Sequence, residues 1–260
     1  MKYLIFKRFS RVRAGILFCA VSALLLVSLS GCASTRQGPS SKGPTQREVE
    51  TTGRQELENS WWYARFQFNW PQDQEPSWHL DLMVANTIIA PVLEKHGAEI
   101  PLWRVHRRAA PDQSGHQFSF IFFATQKSAG GIFETIKSNP MLAQMRSAGL
   151  ITATTFDDTV KVIRPGIGGV SDGHWSVPVR RSWPFFIMGV SEMWMGLIDQ
   201  LAEDGRPRPK TALELEAFYR KINEEVLAMW NKEAGHALLH HLNAVFGYEP
   251  LTFRGQEYKF

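Results

Sequence analysis

Cysteine is scarce in this sequence of 260 residues, and its two cysteines, Cys19 and Cys32, both lie near the start. From residue 33 to the end there is none, so that part of the chain can form no disulfide within itself. It also cannot supply a zinc site built from cysteines or a cysteine nucleophile. Any chemistry in the main part of the chain must therefore use other side chains.

Acidic residues are absent from the first 31 positions, which are first basic and then apolar. Five lysines and arginines lie within residues 2–13, and an uncharged, mostly apolar run follows from residue 14 to residue 29. The small residues Ser30 and Gly31 come next. A basic segment, an apolar segment and a narrow cleavage site in this order are typical of a secretory signal peptide. We therefore predict that residues 1–31 are a signal peptide.

The segment Leu29-Ser30-Gly31-Cys32 resembles the lipobox of bacterial lipoproteins at each of its four positions. The resemblance implies that diacylglycerol is attached to the sulfur of Cys32, that the chain is cleaved before it, and that the acyl chains anchor the protein to a membrane. In this family an aspartate after the cysteine commonly retains the protein in the inner membrane. Here Ala33 follows, which favours the outer membrane, facing the periplasm. The alternative is an uncleaved signal anchor, since about 20 uncharged residues can span a bilayer.

After removal of the signal peptide the chain has no surplus of positive charge. The full sequence has 29 Lys and Arg against 25 Asp and Glu. Cleavage removes five basic residues and no acidic ones, which leaves 24 against 25, a net charge near −1. Nucleic-acid binding needs surplus positive charge to displace counterions from phosphates, so it is not expected of this protein.

Large apolar residues are almost missing from residues 33–60, which are rich in Ser, Thr, Gln, Gly, Glu and Arg. Such a segment cannot bury enough apolar surface to offset the entropy lost on ordering. We therefore predict that residues 32–60 are the lipidated cysteine and a flexible tether. A flexible chain of this length spans about 30 Å on average.

Residues 61–163 alternate between strand and helix patterns in the spacing of their apolar side chains. Strands are predicted at residues 62–70, 102–109, 116–125 and 150–156, and helices at residues 80–97 and 127–148. A break at Asn139-Pro140 is the alternative for the second helix. Pro91 is expected to kink the first helix, and residues 79–84 are alternatively a strand. The order βαββαβ is typical of the ferredoxin-like α+β antiparallel sandwich, in which both helices cover one face of the sheet.

Helical patterns dominate after a predicted loop rich in Gly, Pro and Ser at residues 164–182. An apolar helix is predicted from Pro184, a residue suited to the first helical turn. Another helix is expected after Thr211, where Glu214 completes a capping box. Residues 183–260 should thus form a C-terminal helical region packed on the sandwich. A membrane-lying position is the alternative for the apolar helix, but its polar face lacks lysine and arginine.

The first candidate site is formed by polar side chains at alternate positions of three predicted strands. In the ferredoxin-like order these strands are neighbours, so their polar side chains form one cationic surface on the sheet face away from the helices. A guanidinium offers a planar fork of donors to a carboxylate or phosphate, which suits an anionic ligand or a protein partner. The alternative is a solvated face, or arginines paired with acidic residues of the C-terminal helices. The predicted ligand-binding residues are Tyr63, Arg65, Arg104, His106, Arg108 and Ser119, with Gln67, Asn69 and Gln117 beside them.

The second candidate site consists of Glu233, His236, His240 and Asn243, three or four positions apart on one face of a predicted helix. Two histidines at positions i and i+4 can bind one zinc or iron ion. A di-iron site needs a second Glu-x-x-His pair, which the sequence lacks. The alternative is a face turned to water, because the apolar residues lie on the opposite side of the helix. His241 falls among those apolar residues and is expected in the core.

The sequence contains no recognisable catalytic motif. The glycines of residues 166–174 do not have the spacing of a phosphate-binding loop, and Ser171, Asp172 and His174 are loop neighbours that cannot be held as a triad. The sequence therefore predicts a membrane-anchored envelope lipoprotein that acts as a binding or assembly module without a cofactor. The alternative is a metal-binding protein or metal-dependent enzyme that uses the helix histidines, or an enzyme with His106 as general base.

Overall fold

Four antiparallel strands form the central sheet of the protein. The computed structural model describes residues 59–71, 73–205, 207, 209–253 and 255–258. The predicted signal peptide, Cys32 and the tether up to residue 58 lie outside the described residues. The predicted α+β class with an antiparallel sheet is confirmed. The strands are β1 (Asn59–Phe68), β2 (Leu102–Ala109), β3 (His116–Thr125) and β4 (Ile151–Phe156), in the spatial order β2-β3-β1-β4.

One face of this sheet carries the main apolar core. Strand alternation places Phe66, Phe118, Phe120 and Phe122 on this face, and all four side chains are fully buried. Burial of one such side chain contributes about 1.5–3 kcal/mol to folding. The row of phenylalanines therefore decides which face of the sheet the helices cover.

The helices that follow β1 and β3 pack on this apolar face. Leu82, Ile88, Ile132 and Ile136 are their fully buried contributions to the main core. Residues 79–84 are helical, so the alternative prediction of a strand there is wrong. The elements are α1 (His79–Val84), a π-helix (Ala85–Ile89), α2 (Ala90–His96), a 3-10 helix (Gly97–Glu99), α3 (Gln126–Lys137) and α4 (Pro140–Ser147).

The distortion expected at Pro91 takes the form of the π-helix that immediately precedes α2. A proline inside a helix cannot donate to the carbonyl four residues earlier, which here belongs to Thr87. That carbonyl instead accepts a hydrogen bond from Nδ2 of Asn139 at 3.2 Å. Asn139 also caps α4, since its Oδ1 accepts from the backbone N–H of Met141 at 2.8 Å. The side chain of Asn139 thus provides a hydrogen-bond partner for one backbone group in each of two helices.

Helix α5 (Val177–Ala202) begins at Val177 rather than at Pro184, so the predicted loop 164–182 is wrong over its last residues. A 3-10 helix (Ile167–Val170) lies within that loop as well. Pro184 is buried inside α5, and the carbonyl that it leaves without a helical donor is that of Arg180. Oγ of Ser171 donates to this carbonyl at 2.7 Å, which allows the helix to continue through the proline.

Helix α5 runs beside β2 at the edge of the sheet. The backbone N–H of Val105 donates to Oγ of the buried Ser191 at 3.2 Å, and that hydroxyl donates to the carbonyl of Ile187 at 2.8 Å. An open strand edge is a template for unwanted strand pairing, and α5 covers this one. Within the described ranges, no helix is long and apolar enough to cross a bilayer.

The chain after α5 forms two further helices and a hairpin. The capping box predicted from Thr211 and Glu214 is confirmed at the start of the first helix. This helix adds Leu215, Tyr219 and Ile222 to the main core. The hairpin was not predicted. The elements are α6 (Ala212–Met229), a π-helix (Trp230–Ala234), α7 (Gly235–Val245), β5 (Leu251–Phe253) and β6 (Gln256–Tyr258).

Candidate functional site

Three rows of side chains cross the sheet on the face opposite the main core. From β1 through β3 to β2 the rows are Tyr63–Ile121–Arg104, Arg65–Ser119–His106 and Gln67–Gln117–Arg108. The structure thus brings the six predicted ligand-binding residues onto one face. Asn69, which was grouped with them, lies beyond the end of β1 and lines a separate cleft instead.

The end of this face nearest Asn59 is apolar and covered. Trp61, Ile121 and Phe123 are buried there, and Ile167 and Val170 of the 3-10 helix pack against them. The face was predicted to be polar, and this second apolar cluster was not predicted. The open part of the face is therefore limited to the row of His106 and the row of Arg108, with Arg104 at its border.

Arg65 is bound to a carboxylate of its own chain. Its Nη1 donates to Oδ1 of Asp157 at 3.1 Å, and Arg164 donates to the other oxygen of the same carboxylate. The backbone N–H of Tyr63 also donates to Oδ2 at 2.9 Å. The two guanidinium carbons lie 4.4 and 4.2 Å from the centroid of the Tyr63 ring. Arg65 is therefore part of a closed ion cluster, and the acid comes from the segment after β4, not from the C-terminal helices.

Arg108 also has an acidic partner, but an exposed one. Its Nη2 donates to Oδ2 of Asp112 at 2.5 Å, in the turn between β2 and β3. The hydrogen bond from Arg108 is the main cause that lowers the pKa of Asp112, and the backbone N–H groups of Ser114 and Gly115 add to it. Such a surface pair contributes little to stability.

Arg104 differs from both of these arginines. Among the residues that the structure describes it forms no ion pair, and its Nε is buried without a hydrogen-bond partner. The neighbouring His106 is exposed on the sheet surface. Partial desolvation, and then the charges of Arg104 and Arg108, lower the pKa of His106. At neutral pH the site therefore presents an unpaired guanidinium beside a neutral imidazole, with the buried hydroxyl of Ser119 in the same row as His106.

The residues of the second candidate site are not arranged as metal ligands. The rings of His236 and His240 stack with centroids 5.8 Å apart and an interplanar angle of 18°. In the part of the chain that the structure describes, no group of three or more His, Cys, Asp or Glu side chains could hold a metal ion. Glu233 is exposed, whereas Asn243 is buried and donates to the carbonyl of Glu249 at 2.9 Å. His241 is exposed, so its expected place in the core is wrong.

A buried ion cluster on the other face of the sheet was missed. Nε of Arg107 donates to Oδ2 of Asp81 at 2.8 Å, and Nε2 of His116 lies 3.2 Å from Oδ1 of the same carboxylate. Asp81 and His116 are completely buried. Arg107 alternates with the surface arginines of β2, so its inward position was readable from the pattern. The burial of its partner Asp81 was not predictable, because the sequence does not indicate which residue a lone acid in an apolar helix will pair with.

A polar cleft of about 560 Å³ lies where the end of β1 meets α1 and α6. Its wall includes Glu216 and Arg220, whose side chains are 2.8 Å apart. Glu216 also contacts Nε2 of the buried His79 at 3.4 Å. Burial, and then the charge of Arg220, lower the pKa of His79. These three groups satisfy one another, so the cleft offers a ligand less unpaired charge than the surface at Arg104.

The chain was compared with protein families, curated proteins and solved structures. No family model, no curated protein and no solved structure matches it.

Proposed function

We propose that the protein is a lipid-anchored binding module of the bacterial cell envelope, without enzymatic activity, whose ligand site lies around Arg104 and His106. The observation that carries this proposal is that the half-buried Arg104 forms no ion pair among the described residues. The other two arginines of the surface, Arg65 and Arg108, are paired with Asp157 and Asp112. Of these three arginines, only Arg104 has no acidic partner within the described ranges, so it is the one that a ligand can pair with.

The ligand class follows from the chemistry of this guanidinium. A guanidinium that has no acidic partner in its own chain can donate to a bound anion through its other N–H groups. A charge-assisted hydrogen bond contributes about 1.5–3 kcal/mol. A carboxylate or phosphate accepts two parallel bonds from one guanidinium. The ligand is therefore a small anion or an acidic side chain of an envelope protein.

Anion binding at this site is coupled to protonation of His106. Its pKa is lowered by desolvation and by its arginine neighbours, so the ring is neutral in the empty site at neutral pH. A bound anion favours the charged form of an adjacent imidazole and raises its pKa. Protonated His106 then donates a second hydrogen bond to the ligand. We expect anion binding to take up protons and to strengthen as the pH falls from 7 to 6.

The fold and the location belong to the same proposal. The strand order β2-β3-β1-β4, with helices packed on one face, supports a ferredoxin-like sandwich with the opposite face left for binding. The lipobox around Cys32 supports an anchor in the outer membrane, on the periplasmic side. A tether of about 30 Å keeps such a domain close to the membrane while it meets its partner.

The test compares two arginines of one strand. The full chain, purified in detergent, is titrated calorimetrically with citrate and with inorganic phosphate. Arg104→Ala is expected to weaken binding at least tenfold, because it removes the unpaired guanidinium. Arg108→Ala, whose guanidinium is already bound to Asp112, is the matched control and should change affinity less than threefold. Equal affinities for both variants and the wild type would refute the site.

The same pair of variants serves to find a protein partner. Envelope extracts are passed over the anchored wild-type chain and over each variant. A protein retained by the wild type and by Arg108→Ala, but lost with Arg104→Ala, binds through the proposed site. Retention by all three chains would place the partner elsewhere on the surface.

A further inference from the structure

The cleft of about 560 Å³ at the end of β1 is large enough to hold a small molecule. Protein sites for such ligands usually measure about 300–1,000 Å³. Three parts of the fold meet at this cleft: the chain between β1 and α1, the turn between α4 and β4, and helix α6. It shares no lining residue with the site at Arg104. The polar side chains of its wall are Asn69, Gln74, Glu75, Ser77, Glu216 and Arg220.

The carboxylate of Glu216 is held in this wall by contacts to only one of its two oxygens. Nη2 of Arg220 donates to Oε1 at 2.8 Å, and Nε2 of His79 lies 3.4 Å from the same oxygen. Oε2 has no hydrogen-bond partner within the described part of the chain, and it is not buried. The two contacts therefore fix the position of the carboxylate and compensate its charge, while Oε2 stays available to a donor in the cleft.

The wall carries two acidic groups and one basic group. Burial, and then the charge of Arg220, lower the pKa of His79, so its ring is neutral at neutral pH. The charged side chains of the wall are thus Glu75, Glu216 and Arg220. The guanidinium of Arg220 is bound to Glu216 through Nη2, and its side chain is 56% exposed. Its other N–H groups therefore remain available as donors.

This mixture of donors and acceptors selects the class of ligand. An ammonium group only donates, and at Oε2 it would share one carboxylate with the guanidinium of Arg220. A ligand carboxylate only accepts, and it would meet the negative charges of Glu75 and Glu216. A hydroxyl group both donates and accepts, so it can bind to the carboxylates, to Arg220 and to the side-chain amides of Asn69 and Gln74.

We propose that this cleft binds a neutral ligand rich in hydroxyl groups, which is the chemistry of a saccharide. Oε2 of Glu216 accepts from one of its hydroxyls, and the amide of Asn69 binds another. The apolar side chains of Leu80 and Leu150 also line the cleft, and they suit the C–H groups of a sugar ring. The inference goes beyond the proposed anion site and does not depend on it.

The first part of the experiment varies the charge of the ligand. The full chain, in a detergent without sugar headgroups, is titrated at pH 7 with four related sugars, and ligand-observed NMR gives the affinities. Glucose and N-acetylglucosamine are neutral, glucosamine carries an ammonium group and glucuronate carries a carboxylate. The neutral N-acetylglucosamine is expected to bind in the cleft at least tenfold more tightly than either charged sugar.

The second part of the experiment varies the wall of the cleft. Glu216→Ala removes the free acceptor and should weaken the binding of N-acetylglucosamine about tenfold. Asn69→Ala leaves the contacts of Glu216 in place and should weaken it about threefold. Glu224→Ala is the matched control, because Glu224 is an exposed acid two turns further along α6 that does not line the cleft. Thermal unfolding shows whether each variant is folded, and if Glu216→Ala is not, Asn69→Ala decides.

Several results would overturn the proposal. Tighter binding of glucosamine would make the cleft a cation site, and tighter binding of glucuronate that is weakened by Asn69→Ala would make it an anion site. Failure of both neutral sugars to saturate the chain at about 50 mM would exclude a saccharide site of millimolar affinity. Equal affinities in the wild type, Glu216→Ala and Asn69→Ala would place any bound sugar elsewhere. Glucuronate that is lost only with Arg104→Ala reports on the proposed anion site, so the two proposals fail separately.

Discussion

Nε of Arg107 donates to Oδ2 of Asp81 at 2.8 Å and thereby joins strand β2 to helix α1 inside the layer between the sheet and the helices. The guanidinium also lies 5.1 Å from the ring of Trp78 and 4.9 Å from that of Trp194. The carboxylate of Asp81 is completely buried, so its negative charge must be compensated by the guanidinium of Arg107. Removal of Arg107 alone would therefore leave a buried charge without its cation.

Removal of Arg107 alone should be strongly destabilising. Arg107→Met leaves the buried carboxylate of Asp81 without its cation, and we expect the free energy of unfolding to fall by about 3 kcal/mol. Arg108→Met, at the next position of β2, should cost less than about 1 kcal/mol, because its partner Asp112 is exposed rather than buried. The double variant Asp81→Leu with Arg107→Met should recover part of the loss, because neither a carboxylate nor a guanidinium is left unpaired, although Nε2 of the buried His116 loses its carboxylate partner. Urea denaturation measures all three, and equal losses for Arg107→Met and Arg108→Met would contradict the prediction.

The two hydrogen bonds of Asn139 can be separated by substitution. Asn139→Asp keeps an acceptor for the N–H of Met141 but removes the amide donor to the carbonyl of Thr87. We expect it to cost about 1–2 kcal/mol, since that carbonyl has lost its helical donor to Pro91. Asn139→Ala removes the cap as well and should cost about 1 kcal/mol more. Thermal and urea unfolding report both losses. If Asn139→Asp were as stable as the wild type, the carbonyl of Thr87 would not need the amide.

His79 makes the folded state sensitive to acid. Burial, and then the charge of Arg220, lower its pKa below the ordinary value of 6.5. Below about pH 6.5 the unfolded chain therefore binds a proton that the folded chain resists, so the free energy of unfolding falls as the pH falls. His79→Gln should reduce this slope between pH 6.5 and pH 5. Arg220→Gln should reduce it in part, because it removes a charge that lowers the pKa of His79. Denaturant midpoints at a series of pH values give the slopes, and a wild-type slope in His79→Gln would disprove the assignment.

The sheet and its first helices were predictable because their residues are spaced for burial on one side. The alternation around Phe66 is decided locally, and so are the caps at Thr125, Asn139 and Thr211. The start of α5 was not predictable in this way. Pro184 is normally a residue of the first turn, and its tolerance inside the helix depends on Ser171, which the sequence pattern does not connect to it.

In the candidate site, too, the local sequence predicted the positions of residues on the strands but not their partners from distant parts of the chain. Strand alternation and strand order placed Arg65, Arg104 and Arg108 on one face. The partner that occupies Arg65 is Asp157, far away in sequence, and no spacing rule links the two. The apolar half of the face was also not predictable from the sequence. Ile121 lies in a strand that is apolar at almost every position, so its two faces cannot be told apart. The structure therefore reduced a predicted surface of six residues to a smaller site at Arg104, His106 and Ser119.

The pKa of His106 is a direct measure of the charges at this smaller site. Of the two arginines, Arg104 lowers the pKa of His106 more, so Arg104→Ala should raise this pKa, while desolvation keeps it below the ordinary value. Arg108→Ala should raise it as well, by a smaller amount. Inorganic phosphate should raise the pKa of His106 in the wild type and in Arg108→Ala, because the bound anion favours the imidazolium, but should have no effect in Arg104→Ala. NMR titration of the His106 ring protons measures each of these shifts. A phosphate response that persists in Arg104→Ala would show that the anion binds without this guanidinium, and the site would have to be moved.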